Sequence, residues 1–300
     1  MGASTNGGAD GAHSAVPNNV RRRNVDLALQ SVALEGGHID GDFSDAIIAY
    51  ANGGVDEDQL IELAIARYPY CDADSEHRTA NTSGAAADPY LIPGTQVLRN
   101  LVGAHDAETL STIEFTWFTV RSIKLQTMQI PALGTVRQLQ QIHHYLFRDV
   151  YDWAGKLRTV TISKAYTTFL SPHAFITGIP YCERALADDH YLRGLSRRQF
   201  VERMSVHYDD FNVLHPFREG NGRAQRFFWD MVAHDAGWQF DWRLIGKQEN
   251  DFASARAMLA GDYAPLIRMF DSSVKPLSEP LATDEAALLR RVDAMSNTGC

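Results

Sequence analysis

The sequence has little that would cross-link it, carry it across a membrane or grip nucleic acid. Its three cysteines, Cys71, Cys182 and Cys300, have neither a disulfide-scaffold pattern nor metal-ligand spacing, which suits a reducing cytoplasm. No apolar run approaches the roughly 20 residues of a membrane span, and the first residues lack a signal peptide's apolar core. A formal charge of −9, with Arg21-Arg22-Arg23 as the one strongly basic run, excludes a general nucleic-acid binder. That run reads as a solvated helix lead-in. Neither GxxxxGK(S/T) nor HExxH occurs, so a P-loop NTPase and a zinc hydrolase of that type are set aside.

What is present is an ordinary globular composition, 45% hydrophobic and 22% charged over 300 residues, enough for one large or two modest domains. The informative stretch is His215-Pro216-Phe217-Arg218-Glu219-Gly220-Asn221-Gly222-Arg223, with Arg226 a turn later. Helical periodicity precedes it, from Ser196 to Leu214, and resumes at Phe227, Phe228, Met231 and Val232. Pro216 and the glycines break that period, so the stretch is expected to be a loop feeding a helix N-terminus. Gly220 and Gly222 let backbone N–H groups close on an anion at the positive end of the helix dipole. Arg223 and Arg226 can each fork onto phosphate oxygens. Glu219, an acid among donors, makes sense if a divalent cation such as Mg²⁺ bridges it to phosphates. His215 supplies a base and Phe217 an apolar anchor. Together they describe transfer of a phosphorus-centred group to a hydroxyl.

The stretch resembles the signature of Fic-domain proteins, HPFx(D/E)GNGRxxR, at every fixed position. The resemblance implies an enzyme that moves the AMP part of ATP onto a Tyr, Thr or Ser hydroxyl of a target protein and releases pyrophosphate. It implies His215 as catalytic base, Glu219 as the Mg²⁺ ligand, and Phe217, Gly220, Asn221, Gly222, Arg223 and Arg226 as the nucleotide-binding set. Asn221 and nearby amides would form the anion hole, while Arg223 and Arg226 would hold the β- and γ-phosphates. A lysine in the glycine-arginine region accompanies kinase activity in a relative; Gly222-Arg223 here favours AMP transfer.

Upstream, residues 1–23 read as a disordered leader, and 24–68 as three short helices too small to be stable alone. Within them Ser31 and Glu35 lie at i and i+4 on one helix face, just before Gly36-Gly37. Ser31-Val32-Ala33-Leu34-Glu35-Gly36 matches the inhibitory motif (S/T)xxxE(G/N) of the Fic family. Residues 24–68 resemble the small antitoxin that accompanies some Fic toxins. This implies antitoxin and toxin fused in one chain, with Ser31 and Glu35 inhibitory and Glu35 occupying the place that ATP needs beside Arg226.

The expected fold is mostly α: a Fic helical bundle with a short β-hairpin flap, preceded by the small three-helix unit. Residues 69–87 read as linker, 88–270 as the Fic domain, and 271–300 as a tail with a short helix near Ala286–Met295. Helices are expected at 106–122, 135–147, 172–194 and across 196–236, with further helices in 238–270. Leu157 to Ser163 alternates as a strand does. Lys164, Ala165, Tyr166, Thr167, Thr168 and Phe169 follow, and the resemblance makes them a flap that docks the target's backbone by strand addition. Relatives with a bare toxin–antitoxin build modify type II topoisomerases, which implies the ATPase subunit of DNA gyrase or topoisomerase IV as first candidate target. No direct nucleic-acid or membrane contact is expected. The competing readings are a regulatory or binding module without catalysis, and a Fic enzyme that removes AMP or transfers phosphate.

Overall fold

The computed structural model describes residues 16–71, 88–164, 167–281 and 283–296. The first fifteen residues, almost all of the expected linker, Ala165 and Tyr166 of the flap, and Cys300 lie outside the described residues. The architecture is mostly helical, as expected, with two small two-stranded antiparallel sheets among the described residues, of which only the first was expected.

Three helices open the chain: α1 (Asn18–Glu35), α2 (Ser44–Ala51) and α3 (Glu57–Arg67). Their limits follow from local chemistry. Gly36, in the left-handed conformation, ends α1 with its N–H on the Ala33 carbonyl. Asp56 starts α3 in a capping box with Gln59. The first helix begins six residues earlier than expected, at Asn18. Arg21 is buried and not solvated. Its guanidinium lies over the Tyr50 ring at 4.8 Å and donates to the Val55 carbonyl at 2.7 Å, closing α1 onto α2 and the turn after it.

Helix α4 (Ala107–Thr127), capped by Asp106 on the Thr109 N–H, runs five residues beyond its expected end. It packs against α1 and α3 on one side and α5 (Val136–Phe147) on the other. The antitoxin-like helices thus lean directly on the larger unit. The hairpin that follows is shorter than the alternation suggested: β1 (Ser163–Lys164) pairs with β2 (Thr167–Thr168), and 157–162 bends at Thr159 and Val160 without forming a ladder. Its carbonyls find another donor. Arg158, fully buried, donates to the carbonyls of Val160 at 2.7 Å and His215 at 2.8 Å, tying the base of the flap to the motif.

The expected helix over 172–194 is α6 (Phe175–Asp188), with a 3₁₀ turn on each side and Pro180 inside it. Helices α7 (Arg197–Leu214) and α8 (Asn221–Asp235) flank the motif loop. Beyond them the sequence misleads. Trp238–Phe240 is not helical but a strand, β3, which pairs antiparallel with β4 (Val274–Pro276); α9 (Lys247–Ala260) and α10 (Ala264–Ser273) lie between. Trp242, Ile245 and Leu266 are core residues, whereas Leu259 is 61% exposed.

The tail does more than trail. Helix α11 (Glu285–Ser296) docks on α1 and α2, burying Leu288, Val292 and Met295. Arg291 pairs with Asp26 at 2.9 Å, Arg22 pairs with Glu285 at 2.9 Å, and the Met295 carbonyl accepts the Ile39 N–H at 3.0 Å. Leu288→Ala is expected to lower the unfolding free energy by about 2–4 kcal/mol in urea titration. Unchanged stability would mean that α11 does not hold this position in solution.

Candidate active site

The motif forms a loop clamped from within. Asn221 Nδ2 donates to the Phe217 carbonyl at 2.8 Å, and Asn221 Oδ1 accepts the Phe217 N–H at 2.9 Å. The Asn221 side chain thus shapes the loop. The Phe217 ring is wholly buried and stacked on His143 at 3.9 Å, so it is the loop's anchor. Gly220, at φ 77°, turns the chain into α8 where a side chain would strike the Phe147 ring. The first amides of α8 then have no intrahelical acceptor and open onto the loop mouth.

His215 ends α7 in the left-handed region at φ 41°, an uncommon conformation for a residue with a side chain and one that recurs at functional sites. Its Nδ1 is 3.2 Å from the Asn212 carbonyl, which can only accept, so Nδ1 carries the proton and Nε2 keeps its lone pair. The Phe169 ring covers the imidazole at 3.6 Å, which turns Phe169 inward, away from the target-docking edge expected of it. Burial, with the Arg158 charge nearby, pushes the imidazole down to about 3. The ring is therefore a free base at neutral pH.

Beneath the loop, His143 donates its Nε2–H to the Glu219 carbonyl at 2.9 Å and accepts the Gly155 N–H at Nδ1 at 2.8 Å. Burial pushes this ring down to about 3 as well. Its neighbour His144 faces outward, so the two diverge as adjacent helical positions must. Glu219 stands at the mouth with its side chain 46% exposed, one oxygen accepting the Gly220 N–H at 2.9 Å and Arg223 at 3.3 Å. No cluster of three or more His, Cys, Asp or Glu suited to a metal occurs among the described residues. A single half-exposed carboxylate fits Mg²⁺ that takes its other oxygens from phosphates and water.

The two arginines are placed differently. Arg223 is buried beneath the loop. Arg226 faces α1 and is met there by three acceptors: Ser31 Oγ takes its Nε–H at 2.8 Å, while Nη2 donates to the Ser31 carbonyl at 2.9 Å and to Glu35 Oε1 at 2.8 Å. The i and i+4 spacing of Ser31 and Glu35 thus forms one arginine-gripping face. Glu35 Oε1 also lies 2.5 Å from where a Cβ on Gly222 would stand, so the motif's second glycine leaves the space that Glu35 fills. Burial alone would raise the Glu35 carboxyl, but Arg226 and Arg223 outweigh it and hold the group at about 2.

Over the mouth, Lys164 of β1 pairs with Asp251 of α9 at 3.2 Å, and Lys247 reaches the same carboxylate at 2.6 Å. Thr167 and Thr168 complete the described part of the flap. The sequence reading missed Arg158, His143 as a loop support, and Glu114 with Tyr151 behind Arg223. Their only local signals were a polar residue inside an apolar period or a supposed strand.

Residues 134–233 match the Fic/DOC family, and residues 21–67 match the antitoxin VbhA family. The chain is 33% identical over 203 residues to the probable protein adenylyltransferase Fic of Salmonella typhimurium, covering 65% of this chain and 96% of that protein. It is 38% identical over 167 residues to the protein adenylyltransferase VbhT of Bartonella schoenbuchensis, covering 56% of this chain but only 35% of that longer protein. Among solved structures, the BepC protein of Bartonella tribocorum with bound AMPPNP superposes with a TM-score of 0.59 at 26% identity, over 62% of this chain and 96% of that one.

The buried rings carry a pH consequence. An unfolded histidine protonates near 6.5, whereas His143 and His215 stay neutral to about 3, so the unfolded chain binds more protons in between. Their contribution makes stability fall as pH drops through that window. Between pH 7 and pH 5, His215→Ala is expected to remove about 1–2 kcal/mol of the wild-type loss in unfolding free energy, read by urea titration. An identical loss in both proteins would show that the ring protonates in the fold.

Proposed function

The chain belongs to the Fic/DOC family, and from that membership and the site geometry we propose that it transfers AMP from ATP to a hydroxyl side chain of a target protein, held in check in cis by Glu35. In this reading the target hydroxyl gives its proton to His215 Nε2 as its oxygen bonds to the α-phosphorus. The bond from that phosphorus to the bridging oxygen breaks, and pyrophosphate leaves. The α8 amides receive the developing negative charge. Arg223 and Arg226 are the donors suited to the β- and γ-phosphates. Glu219 would hold Mg²⁺, which when bound neutralises phosphate charge. The flap offers a short strand edge to the target's backbone.

The observation that carries the regulatory half is the grip of Ser31 and Glu35 on Arg226. A guanidinium engaged by a carboxylate, a hydroxyl and a carbonyl at 2.8–2.9 Å has little left for a phosphate, and Glu35 fills the space above Gly222. Type II topoisomerase ATPase subunits are the first candidate targets, on the family likeness alone.

The test uses ATP labelled at the α-phosphate, Mg²⁺, bacterial lysate and three proteins: wild type, Glu35→Gly, and Glu35→Gly with His215→Ala. Label on protein is expected to rise at least about tenfold in the single mutant, the equivalent of roughly 1.4 kcal/mol, and to vanish in the double mutant. Equal labelling by wild type and Glu35→Gly would end the autoinhibition reading. Labelling that survives His215→Ala would demand another base.

A further inference from the structure

Behind the motif lies a buried acid that belongs to no signature and precedes the 134–233 segment matching the family. Glu114, on α4, is almost fully enclosed. One of its oxygens forms an ion pair with Arg223 Nη2, and the other accepts the Tyr151 hydroxyl. Arg223 is the more constrained for it. The Phe115, Phe118 and Phe147 rings surround its guanidinium at 4.6, 5.3 and 4.8 Å. Its Nε and Nη1 are buried with no acceptor among the described residues.

We infer that Glu114, steadied by Tyr151, is a positioning residue that sets Arg223 for the β-phosphate, an inference that rests on the nucleotide reading given above. Three physical points carry it. Rings lining the guanidinium leave its nitrogens as the directions in which it can bind, and Glu114 holds one of them. The nitrogens left without a partner are a costly arrangement for a buried cation and suit an oxygen-rich ligand. The third point concerns Glu219, which already touches the same Nη2 at 3.3 Å. Without Glu114, the full attraction of Arg223 would fall on Glu219, drawing both the arginine and the exposed carboxylate out of their places. Glu114 keeps the two apart.

The experiment measures ATP, ADP and AMP binding by calorimetry to Glu35→Gly protein, alone and combined with Glu114→Gln or Tyr151→Phe. Glu114→Gln is expected to weaken ATP and ADP about tenfold while leaving AMP within about twofold, because AMP lacks the β-phosphate. Tyr151→Phe keeps the ion pair and frees only one carboxylate oxygen, so ADP should weaken about threefold. That variant also decides the matter should Glu114→Gln not fold. Unchanged or tighter ADP binding would overturn the inference, as would a parallel loss of AMP, which would mark a merely structural role. If the Glu35→Gly parent binds ADP no better than AMP, the phosphate reading of Arg223 falls, and the role of Glu114 with it.

Discussion

The contact on which the molecule turns is the clasp of Arg226 by Ser31 and Glu35. A guanidinium cannot give up its charge, so the question it poses is only which anion holds it. Here a helical i and i+4 pair answers with a carboxylate, a hydroxyl and a main-chain carbonyl, all from one face of α1. The grip depends on α1 being delivered at one height and one rotation. Gly36 stops the helix straight after Glu35, Gly222 leaves the space, and Gln30 fixes the roll by donating to the Ile245 carbonyl at 2.9 Å. Because α1 is part of the same chain, its effective concentration at Arg226 is set by packing rather than by expression level.

Guanidinium groups also fasten the rest of the fold. Arg21 closes the N-terminal helices, Arg158 gathers carbonyls from the flap's stem and the end of α7, and Arg243 bridges Asp241 to Asp26 of α1 at 2.7 and 3.0 Å. Each bonds several acceptors from separate segments, which suits a planar cation with five donors better than an ammonium. Burying these charges is tolerable because each meets carboxylates or carbonyls at hydrogen-bond distance. Helix α4 sits where the two duties meet. Thr116 accepts the Asp40 N–H beyond the Gly36-Gly37 turn, while Glu114 and Phe115 face Arg223.

What could be read from the chain was what is written locally. The motif loop follows from Pro216 and the glycines breaking two helical periods, and the caps at Asp56, Asp106 and Thr135 each act within three residues. The Ser31–Glu35 face was legible as a spacing, and its partner only through likeness to a family. What was lost is non-local. Glu114 meets Arg223 across more than a hundred positions, and β3 finds β4 only after two helices, so neither leaves a period to detect. Arg21 reads as solvated because a run of three arginines averages over residues that point different ways, and only one points at Tyr50.

The docking of α11 on α1 implies an order of events during synthesis. On the ribosome α1 emerges long before α8, so the face that carries Ser31 and Glu35 exists before there is an arginine for it to grip. Helix α11, which packs on α1, appears later still. A nascent chain thus passes through a stage in which the motif loop is complete and α1 is present but not yet braced by α11. In that interval α2, α4, α9 and the body of the domain hold α1 in register.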